Sequence, residues 1–229
     1  MVGQWLVDET TPLDQSAIAE LDRQATRSVR GASPRVAVLL REVIVHDVHK
    51  LFGAANVRLD ALVVHGRNSR NQQFYMPATF RFPSVKDHDS LPIDENGLLI
   101  FDGNPLHFLD LSITASRDTT GADDLATLLS RELSNPKTQG AVGALLALGV
   151  AAPAAATIAG AVSAAAVLGD IAYRLVRAAT GNTIGVYRGS FLQFRDAFGV
   201  GKHPGDGGRF RVKDLEFSYD TVLDEALPS

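Results

Sequence analysis

Two imidazoles three residues apart, in His46-Asp47-Val48-His49, form the first cluster in the chain with a chemistry of its own. On a helix that spacing brings both rings to one face, where they can hold a transition metal. Here the segment leaves a run with the two-residue period of a strand and enters a loop, and His65, His88, His107 and His203 are scattered. Surface or half-buried imidazoles are therefore the expectation. Gly199-x-Gly201-Lys202 has the glycine–lysine look of a phosphate cradle. It lacks the Gly-x4-Gly-Lys-Ser/Thr spacing and the strand–loop–helix setting that aim backbone N–H groups at a phosphate, so a long turn is the preferred reading. There is no Gly-x-Ser-x-Gly elbow for a nucleophilic serine. There is no cysteine either, which excludes disulfides, a thiolate nucleophile and cysteine-ligated metals. No residue is nominated as catalytic, and a non-enzymatic role is the expectation.

Charge narrows the partners. A formal net charge of −4 gives no basic face to displace counterions from nucleic acid, and no Lys/Arg run is present of the kind that grips anionic lipid. The start of the chain, MVGQWLVDETTPLD, lacks the basic segment and continuous apolar stretch of a secretory signal. The expected location is cytoplasmic, peripheral to or inserting into a membrane.

The elements that must position any site follow from hydrophobic period. Residues 1–34 read as a helix and linker, with Pro12 near a first helical turn. From Arg35 the period becomes two. Val36, Val38, Leu40, then Val43 and Val45, mark one strand; 57–64, 74–82, 98–101 and 106–113 mark four more, the third ending at Pro83. Strands return at 184–192 and 214–223, separated by a glycine-rich loop at 199–208. Short strands at this spacing, joined by turn residues, are the sequence form of a sandwich or barrel.

Between the two sets of strands, Asp123-Asp124 open an amphipathic helix through Leu125, Leu128, Leu129 and Leu133, with acids at its positive end. No charged residue then occurs between Lys137 and Asp170. The stretch is mostly Ala and Gly, with Leu145, Leu146, Leu148, Ile158, Val162 and Leu168 among its larger residues, and Pro153 divides it. A bilayer takes about 20 apolar residues in one helix, but Ala and Gly are weakly hydrophobic and aromatic anchors are missing. Two readings stay open. The larger residues pack a hairpin on the sandwich, or the hairpin is released into a membrane or an oligomer, where small residues permit close helix contact. The domain reading is a helix and linker at 1–34, a β-sandwich at 35–122 and 183–229, and inserted helices at 123–182.

The segment EVIVHDVHKLFGAANVRLDALVV resembles the first strand, calcium loop and next strand of a C2 domain, and LHFLDLSITASRDTTGADDLA resembles a C2 apolar strand with its following Asp-bearing loop. The resemblance covers residues 35–115, with Asp118 to Asp124 matched in part and the last strands by pattern alone. It implies a mainly β, C2-like antiparallel sandwich with an inserted helical hairpin. It also implies a calcium site: Asp118 and Asp124 keep the family's spacing, Ser116 stands where an Asp is usual, and Asp47 is the acid the first loop offers. Calcium wants roughly six to eight oxygen ligands, so Asp47, Asp118 and Asp124 would make a weak site. The alternative is that Asp123 and Asp124 cap the following helix and Asp118 sits in a solvated turn. The functional expectation is a membrane- or protein-interacting sandwich module that uses its hairpin for insertion or self-association, in its sharpest form a membrane-disrupting effector. The second expectation is an assembly subunit with the hairpin as a soluble homo-oligomer interface.

Overall fold

The structure, a computed structural model, describes residues 6–8, 34–65, 74–136, 138 and 155–223, without the side chains of 6–8, 155–161, 163 and 194. It is mainly β, with two sheets. Strand β2 (Val36–Val45) starts the body, and its apolar residues change phase between Leu40 and Val43. The cause is a bulge. In the pairing with β11 (Leu215–Leu223), Leu40 faces Tyr219 and Glu42 faces Ser218, which leaves Arg41 as the extra residue. Both flanking runs therefore keep their side chains on the buried face.

The first sheet runs in the order β1 (Leu6–Asp8), β8 (Thr183–Leu192), β7 (Phe108–Arg117), β3 (Ala55–His65), β4 (Tyr75–Val85). The second runs β10 (Phe210–Val212), β11, β2, β5 (Asp89–Ser90), with β6 (Leu98–Gly103) also on β2 and β9 (Gly201–His203) also on β11. Inward residues of both sheets form one core, including Val38, Leu40, Leu59, Val63, Leu111, Ile113, Tyr187 and Phe217. This is a β-sandwich-like arrangement. Gly185 is required where the sheets meet, because a Cβ there would fall 2.6 Å from Leu215 Cβ and 2.7 Å from the Val212 oxygen.

The other face of the first sheet is also covered. Helices α1 (Leu125–Leu133) and α2 (Ala155–Thr180) lie between β7 and β8 in the chain and pack there, building a second core from Leu62, Val64, Phe108, Leu125, Leu129, Leu168 and Val176. Helix α2 ends as its sequence requires. Gly181 adopts φ +80° and its N–H reaches the Arg177 oxygen at 2.8 Å. Because the sheet is buried on both sides, alternate polar residues of β3 and β7 are buried too. Arg58 and Asp60 are 0% and 2% exposed, and the Arg58 guanidinium meets the Asp60 carboxylate at 2.6 and 2.8 Å.

Several expectations shift. The third strand passes through Pro83 to Val85 on the sheet edge, where a missing N–H is tolerated. The loop at 199–208 contains β9, whose residues 201–203 pair with 219–221. Within the region read as helix and linker, Leu6–Asp8 pairs in parallel with Val186–Arg188; the expected helix near Pro12 lies outside the described residues. The first half of the expected hairpin, with Leu145, Leu146, Leu148 and Pro153, also lies outside them.

Candidate functional site

The strand order brings the loops at 46–54, 86–88, 118–124 and 213–214 to one end of the sandwich. β2, β4 and β7 end there, while β3, β8 and β11 start there. The 46–54 loop is held firmly at its base. Val48 is fully buried and its N–H donates to Asp87 Oδ1 at 2.8 Å; the His46 N–H donates to the Asp214 oxygen at 2.7 Å. Arg117 Nη1 donates to the His49 oxygen at 2.9 Å, and Lys50 Nζ spans the neck to the Ala54 oxygen at 2.6 Å. Above this base Leu51 and Phe52 stand out at 93% and 87% exposure. They are adjacent, large and apolar, on a loop whose backbone is tied down on both sides.

Four non-glycine residues at this end hold left-handed backbones: His49 (φ 56°), Ser84 (φ 57°), His88 (φ 64°) and Lys213 (φ 56°). Such conformations cost on the order of 1 kcal/mol or more each and collect where structure serves a site. The side chains of His49, His88 and Lys213 are engaged. His49 Nε2 meets Asp214 Oδ2 at 2.7 Å, and Lys213 Nζ donates to the Thr183 oxygen at 2.6 Å. His46 Nε2 meets Glu216 Oε2 at 2.8 Å, and its Nδ1 lies 3.4 Å from Nδ1 of His88. The His46 ring holds the Glu216 carboxyl below the usual glutamate range, with Arg209 adding to the effect.

The acids expected as calcium ligands sit at this same end. Arg81 Nη1 pairs with Asp124 Oδ1 at 2.6 Å and Arg81 Nε with Asp118 Oδ2 at 3.2 Å, so one guanidinium bridges both carboxylates. Asp118 Oδ1 is buried without a hydrogen-bond partner. Asp124 occupies the N-cap position of α1 without a side-chain cap bond, and Asp123 pairs with Arg131. Asp47 accepts the His49 N–H at 2.5 Å on a different loop. Among the described residues no three His, Asp or Glu side chains converge closely enough to hold a metal ion. Of the residues expected to contact a membrane or a second copy, Leu168 is fully buried against the first sheet and Val162 packs at the edge of the same cluster. The side chain of Ile158 and all of Leu145, Leu146 and Leu148 lie outside the described residues.

Two shallow cavities flank β9, of about 270 and 380 Å³, and share Lys202 and His203 in their walls. His203 stacks on Tyr219 with ring centres 4.6 Å apart, and its Nε2 donates to the Gly199 oxygen at 2.6 Å. Arg41 pairs with Asp220 at 2.8 Å along the larger cavity. The smaller is bordered by Arg195, which pairs with Asp196 at 2.9 Å. Each cavity is thus bordered by one internal ion pair, Arg41–Asp220 or Arg195–Asp196. The glycine–lysine segment thus forms a strand and its turn.

Sequence reasoning singled out His46 and Asp47 but missed Leu51 and Phe52. Their signal was legible as two large apolar residues just before Gly53, inside a loop bounded by His, Lys and Gly. Compared with known protein families and with curated proteins, the chain matches none.

Proposed function

We propose that this chain is a non-enzymatic binding module that docks reversibly on a lipid surface through the Leu51–Phe52 tip. The observation that carries the proposal is the near-complete exposure of two adjacent large apolar side chains on a braced, projecting loop. Exposed apolar residues scattered singly are ordinary, whereas a prepaid, rigid pair is suited to burial elsewhere. Full burial of such side chains is worth about 1.5–3 kcal/mol each. Together that gives a weak, reversible anchor of the strength of a single lipid-type signal.

A lipid surface suits a convex tip of two side chains better than a protein groove of standard size, which would need a broad complementary face. Charges at the base are largely paired within the protein, as in His49–Asp214 and His46–Glu216. The apolar contribution therefore leads, and the interaction depends little on salt. We read the body as C2-like on the residue pattern of 35–115, with the helices as an insertion that covers the first sheet. Insertion led by α2 would have to strip Leu168 and Val176 from the sheet and expose Arg58 and Asp60, which favours the loop as the docking element.

Vesicle flotation tests the proposal. Wild-type protein should float with phosphatidylcholine vesicles, and Leu51→Ala/Phe52→Ala should lose about tenfold or more in partitioning, for about 1.4 kcal/mol per decade, with an unchanged melting temperature. Wild-type protein that stays with the soluble fraction at every lipid concentration, or a double variant that floats equally well, overturns it.

A further inference from the structure

The most specific side-chain arrangement that docking leaves unused is formed by His46, His88 and Glu216. His46 follows directly on β2, and His88 lies in the turn between β4 and β5 with a left-handed backbone. Their Nδ1 atoms are 3.4 Å apart, and His46 Nε2 is 2.8 Å from Glu216 Oε2. A carboxylate on the far nitrogen fixes the tautomer. Nε2 carries the proton donated to Glu216, so Nδ1 of neutral His46 presents its lone pair toward His88. Carboxylate, imidazole, then open lone pair is the order found behind metal-ligating histidines, where the carboxylate orients the ring and raises its basicity.

The spacing suits a tetrahedral ion. At a metal–nitrogen distance of about 2.0–2.1 Å, two ligands at a tetrahedral angle lie about 3.3–3.4 Å apart, whereas neighbours in a square plane lie about 2.9 Å apart. The observed separation fits the tetrahedral case. We propose that His46 Nδ1 and His88 Nδ1 form a two-imidazole site for Zn²⁺, with Glu216 behind His46 and water completing the coordination. Among the described residues no third His, Asp or Glu joins the pair, so the site is open and exchangeable. In the metal-free protein one Nδ1 donates its proton to the other; when zinc takes that place, His88 carries its proton on Nε2 and both rings bind as neutral imidazoles. Arg209 sets the charge of the surroundings, pairing with both Glu42 and Glu216. Asp87 and Asp89 flank His88 in sequence, while Asp214 faces His49. The ion would tie the end of β2 to the turn whose Asp87 already holds Val48.

Calorimetric titration of the full chain with zinc chloride near pH 7.5, run in two buffers of different ionisation enthalpy, tests this. The expected result is one zinc per chain, with the same stoichiometry in both buffers. His88→Ala and His46→Gln should weaken binding at least tenfold, and Glu216→Gln by about tenfold. His88 is exposed, so its variant keeps the fold and decides the matter alone if His46→Gln does not. Copper(II) should show no advantage from His88 over a single imidazole. No zinc uptake up to millimolar concentration, or uptake unchanged in His88→Ala, overturns the site.

Discussion

Replacing Arg58 by Met tests the buried polar layer beneath the helices. Arg58 Nε and Nη2 both donate to Asp60, and Nη1 donates to the Asp123 oxygen at 2.7 Å, just ahead of α1. Asp60 accepts one further bond, from the Thr79 hydroxyl at 2.6 Å, and the same hydroxyl accepts the Leu125 N–H at 2.9 Å. The variant therefore strips two of the three donors from a carboxylate that water cannot reach, and frees the carbonyl that steadies the helix start. Leaving one partner of a buried pair uncompensated costs about 3–5 kcal/mol, a large part of a typical stability of about 5–15 kcal/mol. Burial already pushes the Asp60 carboxyl up, opposed by Arg58 and Thr79. Without Arg58 it rises further. A raised folded-state pKa gives stability that is present at low pH and lost as pH climbs through that value, so the deficit should be smaller near pH 5 than near pH 8. Replacing both residues, as Arg58→Met/Asp60→Leu, removes the orphaned charge and should cost far less than the two single changes added together. Urea unfolding followed by circular dichroism measures all three. A single Arg58→Met costing under about 1 kcal/mol, or strictly additive changes, would refute the claim that this pair is a coupled, desolvated unit.

Two further outcomes follow from packing and charge. Leu168→Ala should cost about 2–5 kcal/mol by denaturant unfolding, because the side chain is fully buried between α2 and the first sheet. A change near zero would mean that α2 does not stay on the sheet. The depressed Glu216 carboxyl contributes stability that is present above the ordinary glutamate range and lost as pH falls through its lower folded value. Glu216→Gln should therefore flatten the acid limb of the stability–pH curve below about pH 5, by lowering the neutral-pH melting temperature slightly while leaving the acid value nearly unchanged.

Much of the body was legible because period is a local property. The phase slip between Leu40 and Val43 is written in β2 itself, and the bulge at Arg41 is its structural counterpart. Leu125 and Leu129 marked the buried stripe of α1. What stayed hidden depends on partners distant in the chain. Alternation in β3 suggested a wet face for Arg58 and Asp60, and only the helices covering that face reverse it. The Asp118–Asp124 spacing gave no sign that Arg81, on another strand, bridges both acids. His46 was read beside His49, three residues away, but its ring partner is His88 from another loop. Local spacing cannot reveal a pairing that the sheet order creates.

The pairing of β2 with β11 has a consequence for how the chain acquires its shape. The middle of the second sheet joins Val36 to Leu223, the first and last residues of its two longest strands. Leu215, Phe217 and Tyr219 fill the core between the sheets, so that core stays half-built until the C-terminal strand arrives. During synthesis the β3–β4 pair, whose partners are close in sequence, can form early, whereas β2 must wait with its apolar face uncovered. Such long-range closure makes folding slow and the waiting intermediate prone to associate. Closure of that core thus depends on the arrival of β11.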